Sequence, residues 1–142
     1  MPERVLLDTN VVLDVLLNRI PHNRSSLLTF DLAVRGAIVG ILCATAVPTL
    51  HYLVRKVHSA ADSARDIALL LRVFEIAPVD GRILAAAAAR RGDDFEDDVV
   101  LESALAAGAS VLVTRDRAGF AGAAIPVLSP EEFLARRGPA VD

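Results

Sequence analysis

At 142 residues the chain is long enough for one domain with its own core and too short for two. Hydrophobic residues make up 54% and charged residues 23%, which excludes disorder over most of the length. A net charge of −3 excludes a global pull toward nucleic acid, so any such contact has to come from a local patch, built mostly of arginine because Lys56 is the sole lysine.

Val5-Leu6-Leu7 reads as a buried strand that runs into Asp8, an awkward place for a carboxylate unless something pairs with it. Val11–Leu17 has helical spacing, and Pro21-His22-Asn23 restarts a helix that runs to about Arg35 before Gly36. Ala37–Ala44 is a strand, and Thr49–Val57 places Leu50, Leu53, Val54 and Val57 on one helical face. The uncharged stretch from Gly36 to Leu50 contains Pro48 and is too short to span a membrane. Ser59 and Asp62 resemble a capping box opening the helix Ala60–Val73.

Glu75–Val79 follows as a short strand, and Asp80 can cap an alanine-rich helix that ends near Arg91-Gly92. Phe95–Ala107 is the next helix, Ser110–Thr114 a strand leading into Arg115-Asp116, and Ile125–Leu128 a last short strand. Ser129-Pro130-Glu131-Glu132 starts the final helix with a cap and a proline in the first turn. Strands alternating with helices predict an α/β fold with a parallel sheet covered on both faces. A single domain over residues 1–137 is expected, with a frayed tail at 138–142. No export signal is legible, since Asp8 and Asp14 interrupt the N-terminal apolar runs, and Cys43 alone permits no internal disulfide. A cytoplasmic protein with no membrane attachment is the expectation.

In an open parallel sheet, ligands bind beyond the carboxyl ends of the strands, where strand order reverses. Asp8 and Asp116 each follow a strand and so fall on that edge. The acidic run Asp93-Asp94-Phe95-Glu96-Asp97-Asp98 opens a helix, where the positive end of the dipole favours carboxylates. Helical spacing puts Asp94 and Asp97 on one face and sends Glu96 and Asp98 elsewhere. Carboxylates gathered at one edge repel one another unless a cation intervenes, and hard oxygen ligands suit Mg²⁺ or Mn²⁺. Taken singly, Asp8 could equally be a helix cap, the run at 93–98 a solvated helix start, and Asp116 a turn residue.

The segments LLDTNVVLDVLL, DFEDDVVLESALAAGASVLVTRD and IPVLSPEEFL together resemble the PIN-domain ribonuclease family, in particular VapC-like toxins of toxin–antitoxin pairs. The likeness runs from Val5 to about Leu134. It implies a three-layer α/β/α sandwich around a mostly parallel sheet of four to five strands. It implies a metal-dependent endoribonuclease using a water nucleophile, with Asp8, Asp97 and Asp116 as metal-binding carboxylates, Asp94 as a helper, and Asn10 and Thr114 as polar neighbours. It also implies an antitoxin partner and a homodimer; the alanine-rich stretch Leu84–Ala89 leaves room for such an interface.

One position departs from the family pattern. The glutamate usual in the helix after the second strand is matched here by the uncharged Thr49, so Asp94 or Glu96 would have to supply the missing oxygen. A PIN domain that binds RNA or a protein without cutting therefore stands as the alternative. A haloacid-dehalogenase-like phosphatase, with Asp8 as nucleophile, lacks its second aspartate at Asn10 and has no suitably placed lysine. Contact with single-stranded or structured RNA would fall to Arg115 and Arg117 beside Asp116, and to Arg55-Lys56 at the end of the helix carrying Thr49. Each of these is equally readable as solvated surface charge. Tyr52 could stack a base or be packed between leucines, and His51 reads as a structural or surface residue.

Overall fold

The structure is a computed structural model and describes residues 1–138; of the expected tail, 139–142 lie outside the described residues. The strands are β1 (Glu3–Leu7), β2 (Ile38–Cys43), β3 (Glu75–Ala77), β4 (Val111–Val113) and β5 (Val127–Leu128). All pair in parallel in the order β3-β2-β1-β4-β5. The helices are α1 (Thr9–Leu16), α2 (Asn23–Val34), α3 (Ala46–Val57), α4 (Ala60–Val73), α5 (Gly81–Arg90), α6 (Phe95–Ala106) and α7 (Pro130–Arg137), with a short 3₁₀ turn at Arg117–Phe120. This is the α/β sandwich the sequence predicts.

The central strands are apolar on both faces because both faces are covered. Val5, Leu6, Leu7, Ile41, Leu42, Leu112 and Val113 are all fully buried, the pattern of a parallel sheet lined by crossover helices. Crossovers are right-handed. The chain moves from β1 outward through β2 to β3, then crosses back to β4 on the other side of β1. The α1–α4 connections therefore lie on one face and the α5–α6 pair on the opposite one. Close approach at β2 is secured by Gly40, where a Cβ would sit 2.5 Å from the Phe74 ring. Phe74 in turn meets Phe30 edge-on at 5.2 Å between centroids.

Element ends follow local chemistry. Asp80, Ser59 and Ser129 each accept a hydrogen bond from the backbone N–H three residues on, and Ser129 forms a complete capping box with Glu132. Helix α3 begins three residues earlier than the spacing predicts, because Pro48 falls in the first turn, where its missing N–H costs nothing. Strand β3 stops at Ala77, as Pro78 cannot continue the ladder. His51 is structural: its Nδ1 lies 2.5 Å from the buried Ser63 hydroxyl, which donates back to the His51 carbonyl and ties α3 to α4. Among the described residues no helix is long and apolar enough to cross a membrane.

Candidate active site

β1 and β4 lie side by side with Leu7 opposite Val113, so the residues that leave them emerge together. Asp8 N–H donates to the Val113 carbonyl at 2.9 Å, which carries the parallel pairing one step beyond β1. This seam is where the chain reverses its direction of travel across the sheet, the place where ligands gather in such folds.

The fully buried Thr114 organises what comes next. Its hydroxyl donates to Asp8 Oδ2 at 2.8 Å and accepts from Asn10 Nδ2 at 3.2 Å and from Asp116 N–H at 3.0 Å. One hydroxyl thus fixes Asp8, Asn10 and the backbone of Asp116, using its donor and both lone pairs. Asp8 is also the N-cap of α1, its Oδ1 accepting from Thr9 N–H at 2.8 Å. The cap reading and the site reading of Asp8 are therefore compatible. Asn10 Oδ1 accepts from Arg115 N–H at 3.2 Å and closes the turn after β4.

These residues open onto a cleft of about 450 Å³. Its wall includes the carboxylates Asp8, Asp94, Glu96, Asp97 and Asp116, with Thr49 among its neutral members and no lysine, arginine or histidine. The N-terminal ends of α1, α3 and α6 all border it through Thr9, Thr45 and Asp94. Their dipoles offset part of the negative charge. Asp94 caps α6 by accepting from Asp97 N–H at 3.2 Å. Glu96 contributes to the wall as well, although its charge is not among those that raise Asp97 or Asp8. Asp98 does turn away: a Cβ on Gly92 would sit 2.6 Å from its Oδ2.

Charge crowding registers in the proton affinities. Asp97 is pushed from 3.8 up to about 6, chiefly by burial and then by repulsion from Asp94, Asp8, Asp116 and Asp98. Asp8 is also raised by burial, with help from Asp116 and Asp94, against the hydrogen bonds from Thr114 and Thr9. Asp97 and Asp116 meet over Gly119, where a Cβ would lie 2.3 Å from Asp97 Oδ2 and 3.3 Å from Asp116 Oδ2. Only a glycine leaves that cradle open.

The donor set of four aspartates is the hard-oxygen chemistry that Mg²⁺ or Mn²⁺ takes. Among the described residues no three such groups already stand close enough to hold an ion outright. The chemistry of the site thus fits the ion, and loading it would require the carboxylates to draw together. The phosphatase alternative is not supported, since the cleft wall contains no lysine.

The two arginines expected at the substrate are engaged elsewhere. Arg115 reaches back to the fully buried Asp14, Nε to Oδ2 at 2.8 Å and Nη2 to Oδ1 at 3.0 Å, while Ser26 donates to the same Asp14 Oδ2 at 2.8 Å. Arg117 pairs with Glu132 at 2.8 Å on the surface. Neither lines the cleft. The sequence shows Asp14 only as a break in the N-terminal apolar runs, because it sits in a helix and signals nothing without its distant partner. It gives no sign of Thr45 or of Gly119, which lies in a 3₁₀ turn that has no apolar period.

Residues 4–118 match the model of the PIN domain family. No curated protein matches the chain in sequence. Among solved structures, VapBC-1 from nontypeable Haemophilus influenzae is similar at 16% identity and a TM-score of 0.67, over 90% of this chain and 98% of that one. VapBC2 from Rickettsia felis, bound to a DNA fragment from its promoter, gives 18% and 0.65 over 89% and 97%. VapC20 of Mycobacterium tuberculosis, a toxin that cleaves the sarcin–ricin loop, gives 12% and 0.65 over 83% and 95%.

Proposed function

The chain belongs to the PIN domain family, and on that premise we propose that it is a divalent-metal-dependent endoribonuclease, the toxin of a toxin–antitoxin pair. The observation that carries this reading is the cleft: five carboxylates at the carboxyl edge of a parallel sheet with no cation in its wall. Such an excess of charge is stable only if a cation discharges it or protons do.

Asp8, Asp97 and Asp116 are the proposed ligands of Mg²⁺ or Mn²⁺. Asp94 is the fourth acid, supplying charge where Thr49 has none. When bound, the ion would acidify a water and hold a phosphate oxygen, the chemistry of phosphodiester hydrolysis. Asn10 and Thr114 orient Asp8 and the Asp116 backbone through the bonds described above. The convergent helix N-termini present N–H groups to the anionic substrate. An antitoxin is the proposed protein partner, in line with the toxin–antitoxin complexes among the structural relatives. A homodimer through the exposed Leu84, Ala85, Ala88 and Ala89 of α5 is proposed with it.

Purified protein incubated with single-stranded RNA oligonucleotides and Mn²⁺ should cut them, and Asp8→Asn should cut no better than protein held in EDTA. A folded protein that leaves several RNAs intact with Mn²⁺ would end the nuclease reading. It would favour the second one, an RNA- or protein-binding PIN domain without cleavage, which the neutral Thr49 in the cleft wall supports.

A further inference from the structure

Along α3, one line of side chains runs out of the cleft and stays in solvent. Thr45 and Thr49 stand in the cleft wall. Thr49, Tyr52 and Lys56 then follow at i, i+3 and i+7, on one helical face and over about 10 Å of axis. All three are exposed, as is Arg55 beside them. Tyr52 is not packed between leucines but is 60% exposed. The Lys56 ammonium sits 5.1 Å from its ring centroid. That contact steadies the ring from one side and leaves an aromatic surface in water, at a cost in free energy that a stacked partner would recover.

Charge points the same way. The acidic cleft repels a polyanion, so a strand delivered to it has to be held by cations beyond its rim. Arg115 and Arg117 are committed to Asp14 and Glu132, whereas Arg55 and Lys56 make no ion pair among the described residues.

We infer that this face of α3 is a subsite for single-stranded RNA, stacking a base on Tyr52 and holding neighbouring phosphates on Arg55 and Lys56, with the strand entering the cleft past Thr49. The subsite rests on the ribonuclease reading for its substrate class and deepens it. Of the two basic groups the sequence offers for RNA, it keeps Arg55-Lys56 and releases Arg115 and Arg117, which are paired elsewhere.

Binding of a fluorescein-labelled ten-nucleotide oligouridylate, measured by anisotropy in EDTA, tests the subsite without cleavage. Tyr52→Ala should bind about tenfold more weakly, and Tyr52→Phe should bind as the wild type. Arg55→Ala and Lys56→Ala should each lower the slope of log affinity against log salt by about 0.7. Arg24→Ala, a cation removed from α2, should change neither. The mass of each protein is followed by sedimentation in the same samples. Failure of the wild type to bind, unaltered binding by Tyr52→Ala, or loss of binding accompanied by a change in mass would each overturn the subsite; the last would make this face a protein interface. Because no metal is present, RNA binding through α3 in a protein that never cuts would uphold the subsite while ending the nuclease reading.

Discussion

Asp97 bears the charge cost of the cleft. Its carboxyl holds a proton up to about pH 6 in the folded chain against 3.8 ordinarily. A group that binds its proton more tightly when folded adds stability below the ordinary value and loses it as pH rises through the folded one. Above about pH 6 the folded protein therefore carries the full cost of an ionised carboxylate that is partly buried and crowded by its acidic neighbours. Asp97→Asn should raise the stability of the metal-free protein at pH 7.5 by about 1 kcal/mol, after allowance for solvent screening of a partly exposed group, and should change nothing near pH 3.5. Thermal melts at the two pH values measure this, and destabilisation at pH 7.5 would contradict it. Added Mn²⁺ should raise the melting temperature of the wild type more than that of the variant. Thr114 offers a complementary case. Thr114→Val keeps the shape of the side chain but removes a partner from Asp8 Oδ2 and Asn10 Nδ2, which keep only their long 3.5 Å bond to each other, and from the Asp116 N–H. It should cost about 2 kcal/mol in urea unfolding and weaken Mn²⁺ binding measured by calorimetry.

At the scale of elements, the pair Asp14–Arg115 joins α1 to the turn after β4, and Ser26 brings in α2. Asp14 is fully buried and the Arg115 side chain only 25% exposed, so breaking the pair leaves a charge in a poor solvent. Asp14→Ala should destabilise the protein by about 3 kcal/mol. Arg115→Lys, which keeps the charge but loses the planar fork, should cost clearly less. Chemical denaturation of the two variants checks the order, and equal losses would refute it. Both variants should also loosen Asp116, the next residue in the chain. The local signals of α4, α5 and α7 were legible because Ser59, Asp80 and Ser129 act within four residues of themselves. The commitment of Arg115 was not, since its partner lies 101 positions away and no periodicity links the two.

Across the whole molecule, strand order decides where the chemistry can sit. The apolar runs at Val5–Leu7 and Val111–Val113 were enough to foresee two buried strands, each shedding an aspartate at the same edge. What they could not disclose was that these strands are direct neighbours, since β2 and β3 intervene in sequence and lie on the other side of β1. The third contributor, α6, comes from the opposite layer, so Asp97 reaches Asp8 and Asp116 only once both faces are closed. Asp8 and Asp116 come to one cleft with Asp97 because parallel pairing fixes the edge at which the strands end. Prediction of the RNA contacts from proximity to Asp116 in sequence did not place them in the cleft, because neighbouring residues on a turn point to different partners.

The hydrogen bond from Thr114 to Asp8 spans 106 positions, and it sets a timetable during synthesis. Asp8 leaves the ribosome well before its partners at the end of β4, Val113 and Thr114, have been translated. At about 5–20 residues per second the wait is roughly 5–20 s. Through that interval the nascent chain holds one carboxylate of the centre and no seam to seat it against. The acidic centre is therefore incomplete until Thr114, 106 positions after Asp8, has also been made.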